Sequence, residues 1–368
     1  MKIIKISILN YRNLDGISID LSEDINFIIG ENNLGKSNFL CLLDSIFIRR
    51  NFYKDDFFNI DKPIEVEFTL LLDDCEIGVF EDIFDANDIE NYKNITIKAS
   101  QKGIDENIEF LHCDTNTQIM SSHIKCLNYI QYDSLRNPSN ELTFNRGKGV
   151  GRFLNYLVKS NLEKENITDI DLLEQKRFKN LISNINSVLE KLKAFKNYSI
   201  VARVDENIEN LLAKVILLQD DQKRPIYQAS YGVQFLLLIT LSIFEKLLEI
   251  KEFKKNKGIF DYQEKDGQEK KAVSLVFGFD EPEIHLHPYM QRALIKHIEK
   301  IFQNNDNNFL DVIKKVFNFD KLIGQIIIVS HSPNILLSDY RKIIRFYKNK
   351  NNVSVTCGKK INLNSKLE

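Results

Sequence analysis

Tryptophan is absent from this chain, and its five cysteines (Cys41, Cys75, Cys113, Cys126 and Cys357) lie scattered, with no C-x-x-C pair. An odd, dispersed set argues against a disulfide framework and points to free thiols in a reducing compartment. No apolar run reaches the length of a membrane span. The opening Met1-Lys2-Ile3-Ile4-Lys5-Ile6 alternates like a strand and lacks the apolar stretch of a signal peptide. The expected location is therefore the cytoplasm, with no membrane partner. Neither sign of charge dominates: 50 Lys and Arg stand against 52 Asp and Glu, for a net charge of −2. No global basic field announces nucleic acid, so DNA contact would need a local patch. Internal repeats and long linkers are also missing.

What is present is a globular composition. With 368 residues, 43% hydrophobic and 28% charged, the chain can bury a full core as one large or two ordinary domains.

The most informative stretch is Gly30-Glu31-Asn32-Asn33-Leu34-Gly35-Lys36-Ser37. It fits G-x-x-x-x-G-K-[ST], the phosphate-binding P-loop. Asp24 to Ile29 before it reads as a short apolar strand, and Asn38 to Phe47 after it carries apolar residues at helical spacing. In that context the loop amides and the helix N-terminus converge on a polyphosphate. Lys36 would reach the β- and γ-phosphates, and the Ser37 hydroxyl would ligate Mg²⁺.

Around this loop the pattern alternates between sheet and helix. Two strands with a turn at Asn13 to Gly16 precede it. Ile64 to Leu70, Ile95 to Lys98, Ile108 to His112 and Cys126 to Ile130 read as strands of an antiparallel sheet attached to a P-loop core. Phe80 to Ile89 suits a short acidic helix. From about 150 to 200 the spacing is helical, too short for a long coiled-coil arm. Leu211 to Leu218 reads as a strand, Gly232 to Leu248, Tyr289 to Phe302 and Phe309 to Phe317 as helices, and Ile343 to Val355 as a terminal hairpin.

Two buried-type strands end in polar residues. Leu275 to Phe279 runs into Asp280-Glu281, the Walker B arrangement. It would put Asp280 at the carboxyl edge of the sheet to hold Mg²⁺, with Glu281 as the general base for the attacking water. Ile326 to Val329 delivers Ser330-His331-Ser332-Pro333 to the same edge, where His331 can hydrogen-bond a γ-phosphate and report its presence. Ala229-Ser230-Tyr231-Gly232-Val233-Gln234 opens an apolar helix, with Ser230 as an N-cap and amides free for a phosphate. His285 and His287 stand two apart beside acids, without further ligands at standard metal spacing.

Taken in order, the P-loop, the S-x-G-x-Q segment, Asp280-Glu281-Pro282-Glu283-Ile284-His285-Leu286-His287-Pro288 and Ser330 to Pro333 resemble one family. The chain is similar to ABC-type ATPases of the RecF/SMC superfamily, and most of all to the ATPase part of OLD-family (overcoming lysogenisation defect) proteins. Ile8 to Leu14 resembles that family's N-terminal strand and N-[FY]-R segment, and Gly30 to Asn38 its GENNxGKSN loop. The string from Glu281 to Pro288 is the most family-specific. The resemblance spans nearly the whole chain, although residues 55 to 210 match only in general character.

The resemblance implies an α/β fold: an ABC-type P-loop NTPase head with an antiparallel β-subdomain and a helical insertion. It implies an N-terminal lobe over 1–150, a helical insertion used in dimerisation over 151–210, and a C-terminal lobe over 211–368. It implies ATP as substrate and Mg²⁺ as cofactor. Gly30, Asn32, Asn33, Gly35, Lys36, Ser37 and Asn38 would hold the nucleotide, joined by Ser230, Gly232 and Gln234 from a second subunit. Catalysis would rest on Glu281, His331 and Lys36, and Mg²⁺ on Ser37, Asp280 and Gln131, the last in the place of a Q-loop glutamine. Arg136 resembles the arginine of the family's LRD segment, with no role assigned, and the two histidines read as structural or dimer-facing. The expected partners are a second copy of the chain and a nuclease effector, since OLD proteins usually continue into a Toprim nuclease domain and no Toprim-type Glu…Asp-x-Asp set follows here. The expected role is control of that effector in anti-phage defence, as in Gabija- and PARIS-type systems. A RecF-like DNA-repair clamp and an ATP-binding scaffold with negligible turnover are the alternatives.

Overall fold

Three strands with almost no exposed residues set the layout: β3 (Ile25–Ile29), β9 (Glu269–Asp280) and β10 (Lys321–Val329). Runs of β-branched and aromatic residues buried on both faces are what a central parallel sheet requires. The computed structural model describes residues 1–80, 93–133, 141–142, 149–164, 218, 225–252, 257–264, 267–284, 286–335, 339–350 and 352–361. The chain divides into two compact units, Met1–Arg136 with Lys246–Glu368, and Asn137–Glu245.

The first unit holds two sheets. One is five-stranded and antiparallel, in the order β2-β1-β4-β5-β6, built from β1 (Lys2–Leu9), β2 (Ile17–Asp20), β4 (Ile64–Leu71), β5 (Asn94–Gln101) and β6 (Glu109–His112). The other runs β12-β11-β3-β10-β9-β7, with β8 (Ile259–Gln263) added against β9. Here β11 (Ile343–Asn349) and β12 (Asn352–Cys357) form the expected hairpin, and β11 lies parallel to β3. The fold is thus mixed α/β, as expected.

One expectation is corrected. The strand placed at Cys126 to Ile130 in the antiparallel sheet is β7 (Asn128–Tyr132), and it pairs parallel with β9. Its alternation marks a strand but not its neighbour. The buried Tyr129 decides the matter: its hydroxyl donates to the Leu40 carbonyl at 3.2 Å on α1 (Lys36–Asp44), the helix covering that face. β8 was not anticipated. Its five residues carry three polar side chains, too few apolar positions to show a period.

The two sheets are tied by a buried glutamine. Gln325 on β10 donates from Nε2 to the carbonyls of Ile3 (2.8 Å) and Ser22 (2.7 Å), and its Oε1 accepts from the Ile3 amide at 3.0 Å. A buried amide is tolerated because its polar atoms are satisfied. On the other flank α5 (Pro288–Phe302) covers the sheet through Phe302, whose ring meets Phe277 edge-on at 6.1 Å. α6 (Asn307–Phe317) follows, capped by Asp306, which accepts from the Phe309 amide at 3.0 Å.

Gly278 on β9 has no room for a side chain. An added methyl group would press on the Tyr129 hydroxyl and on Leu40. Gly278→Ala is expected to cost about 1–3 kcal/mol by overpacking, seen as a lower midpoint in thermal or urea unfolding.

The second unit contains α3 (Val150–Lys164) and most of α4 (Tyr231–Glu252), the helix expected over Gly232 to Leu248. Phe153 and Phe244 stack obliquely at 5.2 Å, and Arg152 pairs with Glu245 at 2.5 Å. All but Phe80 of the expected helix at Phe80 to Ile89 lies outside the described residues, as do most of the helical insertion and all but Leu218 of the strand expected at Leu211 to Leu218. Arg136 and His285 also lie outside them.

Candidate functional site

Parallel register brings the chemistry together. Val329 pairs with Asp280 on one side and with Ile28 on the other, so β9, β10 and β3 end level. The residues that follow each strand therefore emerge side by side at the carboxyl edge, where open α/β sheets bind ligands. They are Glu281 after β9, Ser330 and His331 after β10, and Gly30 after β3. A cleft of about 500 Å³ opens there, lined by Asn13, Asn32, Asn33, Gly35, Lys36, Ser37, Asn38, Glu281 and His331.

The loop is built for close approach. Gly35 takes φ 87° and starts α1, and a side chain on it would collide with Asn13. Only glycine adopts that conformation freely at such a contact. The Lys36 side chain is folded back: Nζ donates to the carbonyls of Gly30 (3.0 Å) and Glu31 (2.6 Å). Burial lowers the Lys36 pKa, against the pull of Glu281 and Asp280. A partly desolvated ammonium satisfied by two carbonyls is ready to exchange them for phosphate oxygens.

Ser37 Oγ donates to Asp280 Oδ1 at 3.0 Å. Burial raises the Asp280 pKa, the Ser37 hydrogen bond opposes this, and the charges of Glu281 and Asp133 raise it further. A hydroxyl and a carboxylate in contact, in a site that disfavours the isolated negative charge, suit Mg²⁺. That ion needs only one or two protein oxygens and takes the rest from water and phosphate.

Glu281 and His331 form a pair, with Nε2 at 3.1 Å from Oε1 and both side chains about one-third exposed (31% and 34%). Glu281 adopts φ 47°, uncommon outside glycine, and its amide donates to the Val329 carbonyl at 2.9 Å. Such a constrained carboxylate at a strand end is a marker of function.

The N-terminal segment supplies residues that had not been assigned to the site. Arg12 donates to Asn38 Oδ1 at 2.7 Å and pairs with buried Asp56 at 2.7 Å. Asn38 Nδ2 donates to Asn13 Oδ1 at 2.8 Å, and Asn13 Nδ2 reaches the Asn33 carbonyl at 3.4 Å. Asn13 belongs to the turn before β2 and to the Ile8 to Leu14 segment, and nothing in its sequence spacing ties it to a loop twenty residues away.

The remaining expected residues lie on β7 and at the starts of α4 and α5. Gln131 is in register with Gly278, two positions short of Asp280; its amide donates to Asp133 at 2.8 Å, and it does not line the cleft. Ser230, Gly232 and Gln234 belong to the second unit. Ser230 is exposed, and its carbonyl accepts the amides of Val233 and Gln234 as α4 begins. Gln234 is buried, and its side chain donates to the carbonyls of Tyr227 (3.2 Å) and Ala229 (2.8 Å), so it braces the helix start. His287 caps α5, accepting from the Tyr289 amide at 3.4 Å. Among the described residues no three or more His, Cys, Asp or Glu are grouped to hold a metal, and no helix is long and apolar enough to cross a membrane.

A mostly parallel sheet with a glycine loop, a facing strand-end acid and a histidine beside it defines a nucleotide-binding α/β protein of the P-loop class. The AAA ATPase domain family matches the chain over residues 1–79 and 63–336, and the chain belongs to that family. No curated protein matches it. Among solved structures it is similar to the SMC head bound to the C-winged helix domain of ScpA, with 13% identity over 97% of each chain and a TM-score of 0.48. It is similar to the SMC head domain from Thermotoga maritima, with 13% identity, 97% and 99% coverage and a TM-score of 0.45. A third is the recombination mediator protein RecF, with 13% identity, 96% and 97% coverage and a TM-score of 0.44.

Proposed function

We propose that the chain hydrolyses ATP with Mg²⁺ in the cleft at the end of β3, β9 and β10. The observation that carries this is the meeting of Ser37 with Asp280 and of His331 with Glu281 around the P-loop. Lys36 holds the β- and γ-phosphates, and Ser37 with Asp280 would hold the metal, which neutralises the phosphate charge that develops in transfer. Glu281 takes the proton of the attacking water, and His331 orients Glu281 and contacts the γ-phosphate.

The resemblance of the motif order to two-headed ATPases supports a second copy closing the cleft. Ser230 and Gly232 of that copy would contact the γ-phosphate in trans. Complementation tests this. Lys36→Ala and Ser230→Arg should each abolish turnover alone. Mixed together, they should restore on the order of a quarter of the sites, since half of random pairs are mixed and each has one intact site. No recovery on mixing rules out shared sites.

The Glu281 to Pro288 string supports a further step: the nucleotide state of the pair controls a nuclease effector in anti-phage defence. Retention of a nuclease partner by the tagged protein from its native host, dependent on ATP, is the expected finding. The chain purifying alone in every nucleotide state contradicts that role.

A further inference from the structure

The Glu281–His331 pair is held from behind by a residue that does not line the cleft. Glu283 is 8% exposed. Its Oε1 accepts from Ser330 Oγ at 2.5 Å, from the His331 amide at 3.0 Å and from the Ser332 amide at 3.2 Å. A single carboxylate oxygen thus collects three consecutive donors of the turn that carries His331. Its second oxygen, Oε2, is buried and has no hydrogen-bond partner among the described residues.

Burying a carboxylate costs free energy unless it is well hydrogen-bonded. Here the whole acceptor load falls on one oxygen, and all of it serves the neighbouring turn. Gln291 on α5 secures the same turn from the far side. Its Oε1 accepts from Ser332 Oγ at 2.7 Å, and its Nε2 donates to the carbonyls of Leu286 (2.9 Å) and Glu283 (3.3 Å). The segment after β9 therefore grips the segment after β10 twice. One grip is Glu281 to the His331 ring, and the other is Glu283 to the His331 backbone.

We propose that Glu283 is a positioning residue for hydrolysis: its carboxylate fixes the Ser330 to Ser332 backbone so that the His331 ring meets Glu281. This rests on the hydrolytic reading of the cleft given above. Glu283 acts only through His331. Without it the turn keeps Gln291 but loses its three charge-assisted bonds, and the ring drifts from Glu281. A displacement of about 1 Å at a catalytic pair lowers turnover by up to about 100-fold.

The test compares Glu283→Ala, Glu283→Gln, His331→Ala and the double Glu283→Ala/His331→Ala, using ATP turnover and binding of a fluorescent ATP analogue. Glu283→Ala should lower kcat by about 10–100-fold with the analogue's Kd within about threefold of wild type. Glu283→Gln keeps an acceptor oxygen of the same reach and should recover most of kcat, and the retained analogue affinity of Glu283→Ala shows that its loss of kcat is not misfolding. The double variant should be no slower than His331→Ala, because the two residues act as one unit. Multiplied losses, or an analogue Kd that worsens as much as kcat, overturn the proposal. A second measurement does not depend on turnover. Hydrogen exchange at the His331 and Ser332 amides should accelerate in Glu283→Ala and stay slow in Glu283→Gln, and unchanged exchange in the alanine variant overturns the proposal. An inactive wild type would instead count against the hydrolytic function, with the exchange measurement still deciding the role of Glu283.

Discussion

Glu281→Gln should bind ATP with an affinity within a few-fold of wild type and hydrolyse it about 10²–10⁴-fold more slowly. The substitution keeps the size of the side chain and its contact with His331 Nε2, which lies 3.1 Å from Oε1, but removes the only carboxylate among the described residues lining the cleft. The strained backbone at Glu281, with φ 47°, is held by the amide bond to Val329 and does not depend on the carboxylate. Folding should therefore be intact, and bound ATP should persist. In the two-copy arrangement proposed above, the persistent nucleotide should also hold the pair together, so gel filtration in Mg²⁺ and ATP should show a dimer for this variant and a mixture for wild type. Turnover equal to wild type would remove Glu281 from the role of base.

Lys36→Met should lose both binding and turnover. Among the described residues lining the cleft, Lys36 is the only lysine or arginine. A charge-assisted hydrogen bond of this kind is worth about 1.5–3 kcal/mol, or about 10–100-fold in ATP affinity. Its loss from the transition state removes about another 10²-fold from turnover. Methionine keeps the length of the side chain, but the carbonyls of Gly30 and Glu31 lose their donor. A small fall in thermal stability is expected, while the wild-type gain in unfolding temperature with added ATP should vanish. Equal ATP-induced stabilisation in the variant and the wild type would contradict the placement of Lys36 on the phosphates.

The parts of this site that could be read in the sequence are those that a strand end or a glycine loop fixes locally. Asp280 ends a β-strand of an open sheet, Glu281 and His331 follow such strands, and Lys36 and Ser37 come after the loop that leaves a third; parallel pairing of the three leaves little choice about where they meet. Partners chosen by side chains across the fold were not legible. Asn13, Arg12 and Glu283 are polar residues whose roles come from neighbours 20 to 49 positions away. No period or spacing encodes such pairs. The same limit explains β7: its alternation identified a strand, but the choice between sheets was made by Tyr129 packing against α1. Gln131 fits the local pattern of a strand-end glutamine, yet the strand runs one residue past it, and Asp133 is the residue whose charge acts on Asp280.

The central claim is that one cleft both binds ATP and hydrolyses it through Glu281. The most direct measurement follows ATP binding and single-turnover hydrolysis in the same samples of wild type and Glu281→Gln, with Mg²⁺ present. Equal binding, hydrolysis in the wild type, and ATP recovered intact from the variant are expected. Hydrolysis at the wild-type rate in Glu281→Gln, or a wild type that binds no ATP, would contradict the claim.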